Sequence, residues 1–193
     1  MKVFFTASQR GKEKFGQYYK IITDEITNLG YKLLEDDISK LGTEQFYKTM
    51  KESGRKANIG FYQNKIKHIH DADIVVFECS EHSLSIGFVI EKALEFNKPT
   101  VVLYLKDHEP FFLEGSDDEK LILCQYTEKS IKKVIKGAIT LARERRDKRF
   151  NFFISPKLLD YLEEASNELA ITKSTFIRNL IMDHKKRSEM KLS

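Results

Sequence analysis

The chain reads as an α/β protein built on a doubly wound parallel sheet of about five strands, with a smaller module of different pattern at its C-terminal end. Three observations predict this. Short apolar runs alternate with amphipathic helical stretches as far as about residue 145. The stretch "DIVVFECS" holds an unbroken apolar run, as a strand buried on both faces requires. From residue 148 the pattern changes: "RFNFFI" alternates with period two, and two helical stretches follow. We therefore expect one domain over 1–145 and a second module over 148–190, for which 193 residues suffice.

The elements follow in order. "KVFFT" is a first buried strand, and "SQRGKEKF" a loop containing Gly11. Residues 14–29 set Phe15, Tyr18, Tyr19, Ile22, Ile26 and Leu29 on one helical face, and Gly30 stands where a helix ends. "YKLLED" is a second strand. Residues 43–58 are polar and charged and read as helix, with Gly54 as a break; "FYQNKIKHIHDAD" is a further helix with Ile66 and Ile69 inward. After the third strand, the small-residue turn "HSLSIG" opens the helix "FVIEKALEFNK". "KPTVVLYL" and "LILCQY" are the last two strands, and "EKSIKKVIKGAITLARERR" the closing helix.

Composition excludes several classes. No run approaches the ~18 apolar residues of a membrane span, and "MKVFFTAS" is too short an apolar start for a signal peptide, so a cytoplasmic location is expected. Cys79 and Cys124 form no C-x-x-C pair and read as reduced core thiols. His68 and His70 are two apart on a helix and cannot share a face, so no metal site is expected there. Neither a G-x-x-x-x-G-K-[ST] nor a G-x-G-x-x-G loop is present, and no cofactor is expected. The net charge is +4, with Lys and Arg gathered in the segment Ser130–Phe150 and the last ten residues, which suggests an acidic partner, nucleic acid first.

In a doubly wound sheet, ligands bind beyond the carboxyl ends of strands, near a switch in strand order. Two loops carry small hydroxyls and backbone donors ahead of a helix, where the dipole favours an anion: Ser8, Arg10 and Gly11 in one, Ser83, Ser85 and Gly87 in the other. Asp36 and Asp37 could reach a sugar hydroxyl or cap a helix. Glu78, late on the buried third strand, needs a partner, with Lys65 or a ligand hydroxyl as candidates.

Two resemblances add to these readings. "VFFTASQRG", "DADIVVFECSEHSLSIGF" and "EFNKPTVVLYL" resemble the nucleoside 2-deoxyribosyltransferase family over residues 2 to about 140, and within it the 2'-deoxynucleoside 5'-phosphate N-hydrolases. The resemblance implies a flavodoxin-like sheet in a dimer and a nucleoside or its monophosphate as ligand. It assigns phosphate binding to Ser8, Gln9, Arg10 and Gly11 and to Ser83, with Ser85 where the family carries Gly. The family's nucleophile is a Glu that attacks the anomeric carbon; Val89 stands in its place. Glu91 could serve only if the alignment slips, because two residues turn a helix by about 200°. The family's helper Asp corresponds to Lys65, and its first-strand Tyr to Phe4.

The C-terminal stretch "FISPKLLDYLEEASNELAITKSTFIRNLI" resembles a ribbon-helix-helix DNA-binding module, with Ala170 at the usual turn Gly. Ser155 and Thr172 would cap its helices. Leu158, Leu159, Leu162 and Ala165, and Phe176, Ile177, Leu180 and Ile181, would face inward. Such modules pair strands across a two-fold axis; Arg149, Asn151 and Phe153 would then face base edges, and the amides near Lys173 and Ser174 a phosphate. Together the patterns predict a homo-oligomeric (dimeric or tetrameric) regulator that binds DNA and senses a nucleotide or related anion through a catalytically silent domain. The competing reading is an active deoxyribosyltransferase or N-glycosidase with a dimerising tail.

Overall fold

The computed structural model describes residues 1–34, 42–147 and 152–189, in two compact units, 1–147 and 148–193. The first unit is a five-stranded, all-parallel sheet in the order β2-β1-β3-β4-β5. Its strands are β1 (Lys2–Ala7), β2 (Lys32–Leu34), β3 (Ile74–Glu78), β4 (Thr100–Leu105) and β5 (Leu121–Tyr126). This is the flavodoxin-like order, and its switch point lies between β1 and β3. All five residues of β3 are buried, because helices cover both faces.

Period-two alternation sorts the core. Val3, Phe5 and Ala7 of β1, with Ile74 and Val76 of β3, meet α1 (Lys12–Asn28) and α6 (Ile131–Glu144). Phe4 of β1, with Val75 and Phe77 of β3, faces α3 (Gly54–Asp71) and α4 (Leu84–Glu95). The register Thr6↔Phe77 and Ala7↔Glu78 therefore puts Thr6 on the α3/α4 face and Glu78 on the α1/α6 face.

Several expectations are corrected. The helix read from Phe61 starts seven residues earlier, so α3 spans Gly54–Asp71 and is separated from α2 (Thr43–Glu52) only by a kink. Gly54 makes that kink at φ 65°, a left-handed conformation that disfavours other residues. A short helix, α5 (Phe111–Glu114), lies in the stretch after β4 and was not expected. The second strand is described only to Leu34, and Asp36 and Asp37 lie outside the described residues.

The second unit is a helical hairpin of α7 (Pro156–Glu168) and α8 (Lys173–Glu189). Ser155 holds the cap position of α7, with Pro156 beginning the helix, though its hydroxyl makes no cap bond. Thr172 caps α8 by accepting the Thr175 amide at 3.1 Å. Ala170 turns the chain at φ 52°. The expected strand "RFNFFI" does not form where it is described. Phe152–Ser155 carry no ladder, since a strand needs a neighbour for its backbone groups and this unit provides none. The apolar faces are also incompletely enclosed. Leu162 is buried, but Leu158, Leu159, Leu180 and Ile181 are exposed, because two helices leave outer faces uncovered. Among the described residues no helix is long and apolar enough to cross a membrane.

Candidate functional site

A cavity of about 660 Å³ opens at the carboxyl ends of β1 and β3, on the α3/α4 side. That volume suits a small ligand, for which sites run from about 300 to 1,000 Å³. Its polar edge is Ser8 and Gln9 from the end of β1, with Ser83 and Ser85 from the start of α4. An aromatic wall of Phe46 and Tyr47 on α2, Phe61 and Tyr62 on α3 and Phe88 on α4 forms most of the remainder. Phe46 meets Phe61 edge-on at 5.4 Å, and Tyr62 lies 6.3 Å from Phe88.

The two loops of the switch point are fastened together beside the cavity. Gly11 packs so closely that a Cβ there would sit 2.6 Å from both the Glu81 Cβ and the Tyr19 hydroxyl. Tyr19 donates to the Ser8 carbonyl at 3.2 Å. The Gly11 amide closes the turn on Ser8 O at 3.1 Å, and the Lys12 amide on Gln9 O at 3.3 Å. Thr43 at the head of α2 donates to the same Gln9 carbonyl at 3.0 Å. Gly11 thus serves loop packing, and its amide is turned inward.

α4 begins at Ser83, whose extended backbone ends the loop and whose hydroxyl caps no helix amide. The first-turn amides of α4 therefore point toward the cavity edge without a side-chain cap. Gly87 is exposed, lies outside the lining, and has nothing within 4 Å of where a Cβ would stand. Arg10 is likewise exposed and outside the lining.

The two positions read as chemically altered both face this cavity. Val89, 7% exposed, lines it one helical turn after Ser85. Glu91 is exposed on another face of α4, as helical rotation requires. Lys65 lines the cavity from α3, and its ammonium donates to Thr6 Oγ1 at 2.7 Å while lying 5.2 Å from the Phe61 ring centre.

Glu78 departs from its expected surroundings. Its register places it beneath α1 and α6, where Oε1 accepts from the Ser80 amide at 3.2 Å, from the Ser80 hydroxyl, and from Tyr126 at 2.8 Å. It is absent from the cavity lining. The second oxygen, Oε2, is buried without a partner. Burial pushes its carboxyl above the ordinary range, against the opposing pull of the Ser80 and Tyr126 bonds. Burial also raises Tyr126 and Tyr19, and it raises Cys79 enough to make that thiol inert.

In the second unit, Phe153 is fully exposed, while Arg149 and Asn151 lie outside the described residues. Lys173 and Ser174 open α8 as expected, and the Lys173 ammonium pairs with Glu163 of α7 at 2.9 Å. The aromatic wall escaped sequence reading. Its residues sit in stretches taken as polar, and their one signal is the recurrence of aromatic pairs at 46–47 and 61–62.

Fold and cavity define a deoxyribosyltransferase- or N-glycosidase-like domain with a flavodoxin-like sheet. A relative in Syntrophotalea carbinolica, "Putative 2'-deoxynucleoside 5'-phosphate N-hydrolase 1", is 28% identical over 104 residues, which cover 54% of this chain and 68% of that protein. The structure of a CMP N-glycosidase from Clostridium botulinum aligns at 9% identity and a TM-score of 0.47, covering 71% of this chain and 97% of that one. No family model matches the chain.

Proposed function

We propose that the first unit binds a nucleotide without cleaving its glycosidic bond, and that the second binds DNA, making the chain a ligand-sensing, homo-oligomeric DNA-binding regulator. The observation that carries the silent-domain reading is Val89. It occupies the cavity wall at the position of the family's nucleophile, and no carboxylate stands among the described lining residues. An oxocarbenium-like transition state needs a carboxylate to share its charge. Removing one such group costs several kcal/mol of transition-state stabilisation. In this reading Ser8, Gln9, Ser83 and Ser85 contact the ligand, and Arg10, Gly11 and Gly87 shape the loops around it.

DNA binding is supported by the helical hairpin with its Thr172 cap, by Phe152 and Phe153 exposed ahead of it, and by Lys186 and Arg187 in the last turn of α8. A second chain supplies the strand partner and covers Leu158, Leu159, Leu180 and Ile181. Ligand occupancy then acts by favouring one arrangement of the paired modules, since equal affinity for both shifts nothing.

Fluorescence polarisation with random and genomic duplexes tests the DNA half. Binding should weaken linearly in log–log form as salt rises, with a slope near −0.9 for each phosphate contacted. Absence of binding at low salt rejects it. Incubation with 2'-deoxynucleoside 5'-monophosphates should release no free base; release that disappears in Glu91→Gln would instead establish an N-glycosidase.

A further inference from the structure

Lys65 is the one charged residue among the described residues lining the cavity. No Asp, Glu, His or Arg stands with it there. Its ammonium sits at the level of Thr6, which is fully buried within β1, and lies 5.9 Å from the Phe4 ring and 5.2 Å from the Phe61 ring. Ser8 is two residues further along the chain, so the charge lies about 6–7 Å deeper than the polar edge, at ~3.3 Å per strand residue.

The first loop offers no comparable charge to the cavity. Arg10 points outside the lining, and the Gly11 and Lys12 amides close their own turn. Glu81, packed on Gly11, adds a carboxylate on that side. An ammonium facing an aromatic-walled cavity acts on an incoming anion with less screening than it would in bulk water. It has three donor hydrogens in all, and the Thr6 bond uses one of them.

We propose that Lys65 is the specificity-determining residue of this cavity: it receives the ligand's phosphate at the inner end, and the aromatic wall stacks the base. This rests on the nucleotide-binding reading above and adds the position of the anion and the direction in which the ligand lies. The phosphate points inward to the Thr6 level, and the Ser8 and Ser83 edge contacts the sugar. The same cation that excludes oxocarbenium chemistry thereby selects a charged ligand over its neutral parent.

Calorimetric titration of the full chain with the four 2'-deoxynucleoside 5'-monophosphates and their parent nucleosides tests this. The preferred monophosphate should bind about ten- to hundredfold more tightly than its nucleoside, as one charge-assisted contact warrants. Lys65→Met and Lys65→Gln should erase that ratio while leaving nucleoside affinity in place, and Lys65→Arg should keep most of it. Two neutral variants are used so that misfolding of one leaves the test intact. Survival of the ratio in a folded neutral variant overturns the proposal and places the phosphate on the loops. Equal binding of nucleoside and monophosphate by the unaltered chain overturns the proposal alone. Binding of neither overturns the nucleotide reading and the proposal with it.

Discussion

At its carboxyl edge the sheet presents two unlike faces. Beneath α1 and α6, Glu78 is sealed against Ser80 and Tyr126, with one oxygen unpartnered. Beneath α3 and α4, Lys65 faces a cavity of about 660 Å³ without a described acid near its wall. One side closes over an anion and the other opens around a cation. The register decides this, because Thr6 and Ala7 differ by one residue in β1 and so point their paired neighbours to opposite faces. The carboxylate nearest the site in sequence is thus denied to it by geometry.

The contrast can be broken in steps of decreasing size. Phe5 is 2% exposed in the closed face, and Phe5→Ala should cost about 3–5 kcal/mol in urea denaturation. Tyr126→Phe removes a buried donor from Glu78 and should cost about 1–3 kcal/mol without altering ligand affinity. An affinity change would show that the two faces communicate.

Glu78→Gln sharpens the comparison through pH. The folded carboxyl is raised above its ordinary value of 4.5, so between that value and the folded one the native state holds a proton that the unfolded chain has released. Stability from this group is therefore present below 4.5 and lost as pH rises through the folded value. The Gln variant should gain on the unaltered chain between pH 5 and pH 8; parallel stability curves would show that Glu78 titrates as an exposed acid. The smallest effect belongs to the open face. Phe88 is 49% exposed, so Phe88→Ala should cost under about 1 kcal/mol of stability while weakening ligand binding measurably.

The strands were legible because parallel strands buried on both sides must be apolar throughout, as Ile74–Phe77 and Val101–Leu103 are. The cavity's place was legible too, since the loops after β1 and β3 flank the switch in strand order. Its contents were less so. Lys65 and Thr6 lie 59 residues apart, and no periodicity brings them together. Glu78 was read as a pocket residue because burial is visible in a run of strand residues, whereas the face it takes depends on which helices cover each side. The strand expected at 149–154 needs a backbone partner, which a single chain does not disclose.

The aromatic wall on α2 has a consequence for passage. None of the ten residues of Thr43–Glu52 is buried, and the helix is tied to the loop after β1 by the Thr43 bond to Gln9 and to α3 by the Phe46 ring on Phe61. The opposite walls are sheet and core helix. Lifting α2 exposes almost no interior, so it belongs to the least costly openings of the fold. The route into the cavity lies under that helix, and the residence time of whatever binds is set by how firmly two rings and one hydroxyl hold it down.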